Sequence, residues 1–254
     1  MNNAKDSPPA CTLGLRIYNR IERPDPADIA RLAAAGPCEI SDVARGAGVM
    51  DGAIRQLYAP MPVIAGPAIT VDLTPGDGML LRAAIDVAQP GDVIVVNAHG
   101  DVTRAILGGF IAMHMVHRGV RALVVDGAVR DITEFRELGL PVMARGITPR
   151  SGTTAAGWGE VNVPIACGGA VVQPGDAVIG DHEGLVVVPR RWVRMVADNL
   201  GNAGHPSFEP GTILDRLAAL PKDAPVLGID RVHNAVATRK GVIHDATHDD
   251  HPGP

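Results

Sequence analysis

The chain has 254 residues, which at ~100 to 200 residues per domain allows one large domain or two small ones. Hydrophobic residues make up 46% and charged residues 20%, a balance that excludes a wholly disordered chain. Net charge is -5, three of the 23 basic residues are Lys (Lys5, Lys222 and Lys240), and only seven residues are aromatic, so neither a massed basic surface nor a base-stacking platform is expected.

Cys11, Cys38 and Cys167 are odd in number and far apart, which argues against a disulfide framework or a thiolate metal site. The first residues lack a basic start followed by an apolar run, and no apolar stretch approaches the ~18 residues of a membrane span. The reading is a cytoplasmic protein with no membrane partner and no direct nucleic-acid partner. Residues 1–11 and 241–254 have the composition of loosely held termini, and His244, His248 and His251 among the tail acids read as a solvated tail.

In chain order, Ile29, Leu32 and Ala33 follow a Pro-rich turn at helical spacing and predict a helix over 26–35. Asp77, after Pro75 and Gly76, is placed as the cap of a helix carrying Met79, Leu80, Ala83, Ala84 and Val87. The β-branched run 92–96 predicts a buried strand, and a helix is expected over 104–118 with Ile106, Phe110, Met113 and His117 on one face. Ala122 to Val125 predict a second buried strand, and strand, helix, strand in succession argue for a parallel βαβ unit.

Short apolar pieces at 142–147, 159–165, 170–172, 177–179 and 184–188 predict a β-rich layer, followed by helices over 190–197 and 212–220. The phrase Gln-Pro-Gly-Asp occurs at 89–92 and again at 173–176, and reads as turn chemistry rather than a duplication. Asp181, His182, Glu183 and Gly184 read as an exposed turn.

For chemistry, the segment 123–131 places Asp126, Gly127, Arg130 and Asp131 after a predicted strand, where open α/β sheets bind ligands. Arg130 offers a planar fork to a carboxylate and Asp131 a hard oxygen to Mg or Mn. The residues alone leave a second reading open, in which Asp131 caps a helix with Glu134 three residues on and Arg130 neutralises it. The Gly-rich segment from His99 through Gly108, Gly109, Phe110 and Ile111 is either an anion-binding helix start or a strand-to-helix turn. His114 and His117 share a helix at a spacing of three, without a recognisable third zinc ligand. No Lys is placed for a Schiff base and no Ser for a nucleophile elbow, so carbon-carbon cleavage here would need a metal as electron sink.

Gly108-Gly109-Phe110-Ile111-Ala112, Arg118-Gly119-Val120 and Val124-Val125-Asp126-Gly127-Ala128-Val129-Arg130-Asp131 resemble the 4-hydroxy-4-methyl-2-oxoglutarate / 4-carboxy-4-hydroxy-2-oxoadipate aldolases and the related RraA-like regulators of ribonuclease E. Pro75-Gly76-Asp77, Val161-Asn162-Val163-Pro164-Ile165 with Gly168-Gly169, and Gly180-Asp181 with Gly184 to Pro189 add to the likeness. The resemblance implies a single α/β domain over 24–198, an α/β/β sandwich-like subunit with a central βαβ unit, flanked by extensions 1–23 and 199–254. It further implies a homo-oligomer, trimer or hexamer, with active sites at subunit interfaces.

By the same resemblance, Arg130 contacts the oxo-acid end of a small substrate, Asp131 anchors Mg2+ or Mn2+, and Gly108, Gly109, Phe110 and Ile111 bind substrate. The implied activity is retro-aldol release of pyruvate from a 4-hydroxy-2-oxo di- or tricarboxylic acid, with oxaloacetate decarboxylation as a side reaction. The alternatives are a non-catalytic regulator that binds a ribonuclease, or a related lyase or hydratase. Two features depart from the aldolase pattern. Gly109 stands where many of those enzymes carry an acid, with Asp101 as the candidate replacement, and the segment after Pro189 is basic (Arg190, Arg191, Arg194) rather than acidic.

Overall fold

A computed structural model describes residues 14–155 and 158–201, with Asp215, 218–221, Asp230, Asn234 and Thr238 beyond them. The chain divides into two units, Met1–His205 and Pro206–Pro254. In the second, Asp215, Ala218 and Ala219 are helical and Leu220 lies in a bend, while the rest of the expected 212–220 helix, Lys222, Lys240 and the tail histidines lie outside the described residues, as does Lys5 of the first unit.

The first unit is built on a nine-stranded sheet. Its main path runs β1 (Leu15–Ile17), β7 (Gly159–Val161), β3 (Ile64–Leu73), β4 (Val93–Asn97), β5 (Ala122–Val129), β6 (Val142–Ile147), β2 (Arg55–Gln56). β3, β4, β5 and β6 are parallel, and the antiparallel hairpin of β10 (Ala177–Gly180) and β11 (Leu185–Val188) joins through the start of β3. A separate antiparallel pair, β8 (Ile165–Cys167) and β9 (Ala170–Val172), lies over one face.

Alternation along β4 and β5 decides which core each residue enters. Ile94, Val96, Leu123 and Val125 pack with α2 (Leu81–Val87), α3 (Gly109–His117) and α4 (Ile132–Glu137). Val93, Val95 and Val124 pack with Ile165, Cys167 and Val172 of the β layer. A third cluster joins the β10–β11 hairpin to α1 (Pro26–Val43) and α5 (Val193–Asp198). Helices, central sheet and β layer thus form the α/β/β arrangement expected.

Several elements differ from expectation. α1 runs to Val43 through a break at Gly36 (φ 78°), which lets Pro37 restart the helix where the residue before a proline could not stay helical. β3 has no counterpart among the expected elements, and a proline at position 67 ordinarily argues against an interior strand. Pro67 is accommodated because it pairs only with Ala177 of β10, and pairing with β4 begins one residue later, at Ala68.

α2 begins at Leu81 rather than at Asp77, whose carboxylate instead receives the Met79 N–H at 2.7 Å. α3 begins at Gly109 rather than 104. Ala105 instead bridges both Ala128 and Ser151, Ile106 lies in a bend, and Leu107 precedes the helix without regular structure. Of the residues expected on one face, Ile106 lies before the helix, while Phe110 (72% exposed), Met113 and His117 are exposed together and Gly109, Ala112 and Met115 form the buried face. The expected strand over 159–165 ends at Val161, and the helix over 190–197 is a 3-10 turn, Arg190–Trp192, leading into α5.

Both Gln-Pro-Gly-Asp phrases are the same turn. Asp92 and Asp176 each accept the N–H of the Gln three residues back at 2.8 Å, and Gly91 and Gly175 take positive φ. Burial first of all pushes the Asp176 carboxyl above its ordinary range. Among the described residues no helix is long and apolar enough to cross a membrane.

Phe135, fully buried on α4, fixes the helix that follows Asp131. Phe135→Ala is expected to cost about 3–5 kcal/mol in denaturant unfolding. On the opposite margin, Arg16 binds Glu160 through Nε at 2.5 Å and Nη2 at 2.8 Å, and this hydrogen bonding holds the Glu160 carboxyl below its ordinary range. A depressed carboxylate stabilises the fold above its unfolded value and loses that contribution as pH falls through the folded one. Glu160→Gln should therefore lower the melting temperature at neutral pH, with the gap to wild type closing below the glutamate range.

Candidate active site

Asp131 is the residue on which the site turns. It occupies the cap position of α4 but sits at φ 61°, ψ 50°, in left-handed space that non-glycine residues rarely enter, and makes no capping bond to its own helix. Its Oδ2 instead accepts the Gly109 N–H at 3.1 Å, at the start of α3, and lies 3.5 Å from Arg130 Nε. The capping reading of the sequence is therefore corrected: the carboxylate serves the end of another helix, where the helix dipole favours an anion.

Two glycines make this approach possible. A Cβ at Gly108 would fall 2.1 Å from Asp131 Oδ2 and 3.0 Å from Arg130 Nε. One at Gly109 would fall 2.7 Å from Glu134 Cβ, so Glu134 occupies the space a side chain there would take. Asp101 does not stand in for an acid at that position. Its carboxylate accepts the Thr103 N–H at 2.8 Å, and hydrogen bonds from the Thr103 hydroxyl and amide hold it below the usual carboxylate range.

A cleft of about 200 Å3 opens over these groups. One wall is Ala105 to Gly108, Phe110 and Ile111 with Arg130 and Asp131, another is Ser151 to Thr154, and Arg82 lines it from α2. The polar wall is tied down by backbone bonds, Gly152 to Ala105 at 2.9 Å and Thr153 to Gly76 at 2.8 Å. All six sequence candidates, Gly108, Gly109, Phe110, Ile111, Arg130 and Asp131, come together at this place. Their amides are not equally available: Gly109 donates to Asp131 and Ile111 to the Gly108 carbonyl at 3.1 Å, so donation to a ligand falls to Gly108 and Phe110.

Asp126 separates from the motif. β5 extends through Val129, so Asp126 and Gly127 lie within the strand, at a register irregularity between Val125 and Ala128. Asp126 accepts from Arg145 Nε at 2.6 Å and from the Gly168 N–H at 2.7 Å, on the side of the β layer. Arg145 also reaches Asp51 at 3.0 Å, and these bonds raise its pKa further. The trio staples β5, β6 and the loops beside them, and does not line the cleft.

His114 and His117 border a different depression with Arg82, Asp86 and Arg118. Among the described residues no three His, Cys, Asp or Glu are grouped to hold a metal. A larger groove of about 880 Å3 lies against Gly46 to Val49, Val187 to Pro189 and Trp192. Asp42 and Arg45 are its charged lining residues, so the smaller cleft, with its juxtaposed cation, carboxylate and helix start, carries more chemistry.

A family model described as RraA-like, Aldolase/RraA, matches residues 37–187, and the chain belongs to that family. It is 41% identical over 151 residues to a Halalkalibacterium halodurans protein provisionally named a 4-hydroxy-4-methyl-2-oxoglutarate aldolase, covering 59% of this chain and 71% of the relative. It is 35% identical over 113 residues to a Thermus thermophilus protein named 4-hydroxy-4-methyl-2-oxoglutarate aldolase, covering 44% of this chain and 68% of the relative. The solved structure of Streptomyces coelicolor RraAS2, described as an unusual member of the RNase ES inhibitor RraA family, superposes with a TM-score of 0.66 at 27% identity, over 80% of this chain and 100% of that one.

Gly108→Ala tests the geometry without removing a functional group. At φ -145° alanine is backbone-compatible, so the fold should persist while the Asp131 carboxylate is driven from Gly109. The expected readout is faster hydrogen exchange at the Gly109 amide, with little change in melting temperature.

Proposed function

We propose that the chain is a divalent-metal-dependent lyase that cleaves a 4-hydroxy-2-oxo di- or tricarboxylic acid by retro-aldol chemistry and releases pyruvate. The observation that carries this reading is the left-handed Asp131, its carboxylate pinned beside Arg130 at the Gly108–Gly109 helix start. The relatives named as aldolases support it.

The donor set fits Mg2+ or Mn2+. Such ions are commonly held by one or two carboxylates while water and substrate oxygens complete the shell. Both polar contacts of Asp131 fall on Oδ2, and Oδ1 has no hydrogen bond among the described residues. A divalent ion held there would supply Lewis-acid polarisation of the 2-oxo group.

Arg130 binds the carboxylate of the oxo-acid end through its fork and opposes the charge that develops as the C3–C4 bond breaks. The electron pair of that bond passes toward the 2-oxo group, the 4-hydroxyl loses its proton as C4 becomes a carbonyl, and C3 takes up a proton to give pyruvate. The Gly108 and Phe110 amides donate to substrate oxygens. Oxaloacetate has the same oxo-acid end and would lose CO2 by the same electron flow. A cytoplasmic homo-oligomer, trimer or hexamer with interface sites, belongs to the same proposal, as does the assignment of 24–198 as the catalytic domain.

The likeness to RraAS2 favours a second reading, a non-catalytic ribonuclease regulator. Pyruvate release from 4-hydroxy-4-methyl-2-oxoglutarate, 4-carboxy-4-hydroxy-2-oxoadipate and oxaloacetate, each with Mg2+, Mn2+ or chelator, separates the two. The lyase reading expects chelator-sensitive turnover, with Asp131→Ala and Arg130→Ala each losing at least about 100-fold. Full activity of Asp131→Ala would sink the site assignment. No turnover, together with capture of an endoribonuclease, would favour the regulator.

A further inference from the structure

Arg82 plays no part in the reading above, and nothing in its local sequence singles it out. Its i+4 neighbour on α2 is Asp86, a spacing at which a helix normally pairs the two charges. The structure gives Asp86 to Arg118 instead, at 2.5 Å. Arg82 is left with a single hydrogen bond, from Nη1 to the Gly78 carbonyl at 3.1 Å, and has no acidic partner among the described residues. Other arginines, among them Arg104 and Arg121, also have no ion pair among the described residues, so what distinguishes Arg82 is its place at the cleft.

Arg82 stands between two depressions, lining both the one beside His114 and His117 and the candidate cleft, where Arg130 is the other cation. Arg130 has Asp131 beside it and is assigned to the oxo-acid end; Arg82 enters from a different element. The wall at Ser151, Thr153 and Thr154 supplies hydroxyls between backbone-anchored positions. A cleft with two cations, one acid and a hydroxyl-bearing wall suits a ligand with two anionic ends better than a monoacid.

We propose that Arg82 binds the distal carboxylate of the substrate and so sets the preference of this site for 2-oxo dicarboxylic over 2-oxo monocarboxylic acids. The proposal rests on the oxo-acid reading of the cleft and adds the residue that chooses among oxo acids. Arg82 is exposed and is not needed by the core, so its replacement leaves the fold intact.

The test compares equilibrium binding of 2-oxoglutarate and 2-oxopentanoate, which share a chain length and an oxo-acid end and differ in the second carboxylate. Titrations are made by calorimetry in Mg2+ buffer on wild type and Arg82→Met. Wild type should bind 2-oxoglutarate at least about tenfold more tightly, as expected for one charge-assisted contact. In Arg82→Met that ratio should fall to near one with the 2-oxopentanoate affinity unchanged.

An unchanged ratio in the variant, with both probes still bound, overturns the role of Arg82 and leaves the oxo-acid reading standing. Equal weakening of both probes also overturns it, because a specificity residue cannot act on an end that one probe lacks. Failure of wild type to bind either probe removes the oxo-acid reading itself, and the inference with it.

Discussion

The site depends on one contact, the hydrogen bond from the Gly109 amide to the Asp131 carboxylate. It closes a bond between residues 22 apart in sequence and joins the starts of α3 and α4. Left-handed backbone at a non-glycine residue costs roughly 1–3 kcal/mol, and persists only where surroundings over-determine it. Here they do: Phe135 buries the helix that follows, β5 fixes the chain that precedes, and Gly108 leaves room for the carboxylate. The strained residue thus sits just past the end of a parallel strand and lines the cleft, where its carboxylate is held in place rather than spent on capping its own helix.

The sheet serves that contact by setting where strands end. β4 and β5 are buried on both faces, with helices on one side and the β8–β9 layer on the other, and so have little freedom to slip register. The irregularity between Val125 and Ala128 lets Asp126 turn into the ion network with Arg145 while Arg130 and Asp131 emerge at the cleft. A single eight-residue strand thus carries the ion-paired Asp126 inside and leads to Asp131, at the cleft, just beyond its end.

The elements built on short-range chemistry could be read from the chain. β4, β6, β9 and both Gln-Pro-Gly-Asp turns follow from short apolar runs, β-branched in β4 and β9, and from Asp side chains that reach back to the Gln amide. Elements set by tertiary context could not. Pro67 hides β3 because the chain gives no sign that its neighbour is only the β10 hairpin, and 104–108 carries a helical pattern that pairing with Ala128 and Ser151 overrides. The Arg130–Asp131 pair is visible in the chain, but the left-handed conformation that removes Asp131 from the capping role depends on distant neighbours, among them Gly108, whose missing Cβ leaves room for the carboxylate. Arg82 was masked because Asp86 stands where a helix would pair it, and only the competing Arg118 frees it.

The most direct measurement is a crystal structure of the protein soaked with Mn2+ and oxalate, collected to record the manganese anomalous signal. The account predicts one anomalous peak against Asp131, with oxalate density between it and the Arg130 guanidinium. A cleft without that peak, or oxalate seated instead in the larger groove beside Trp192, would contradict it.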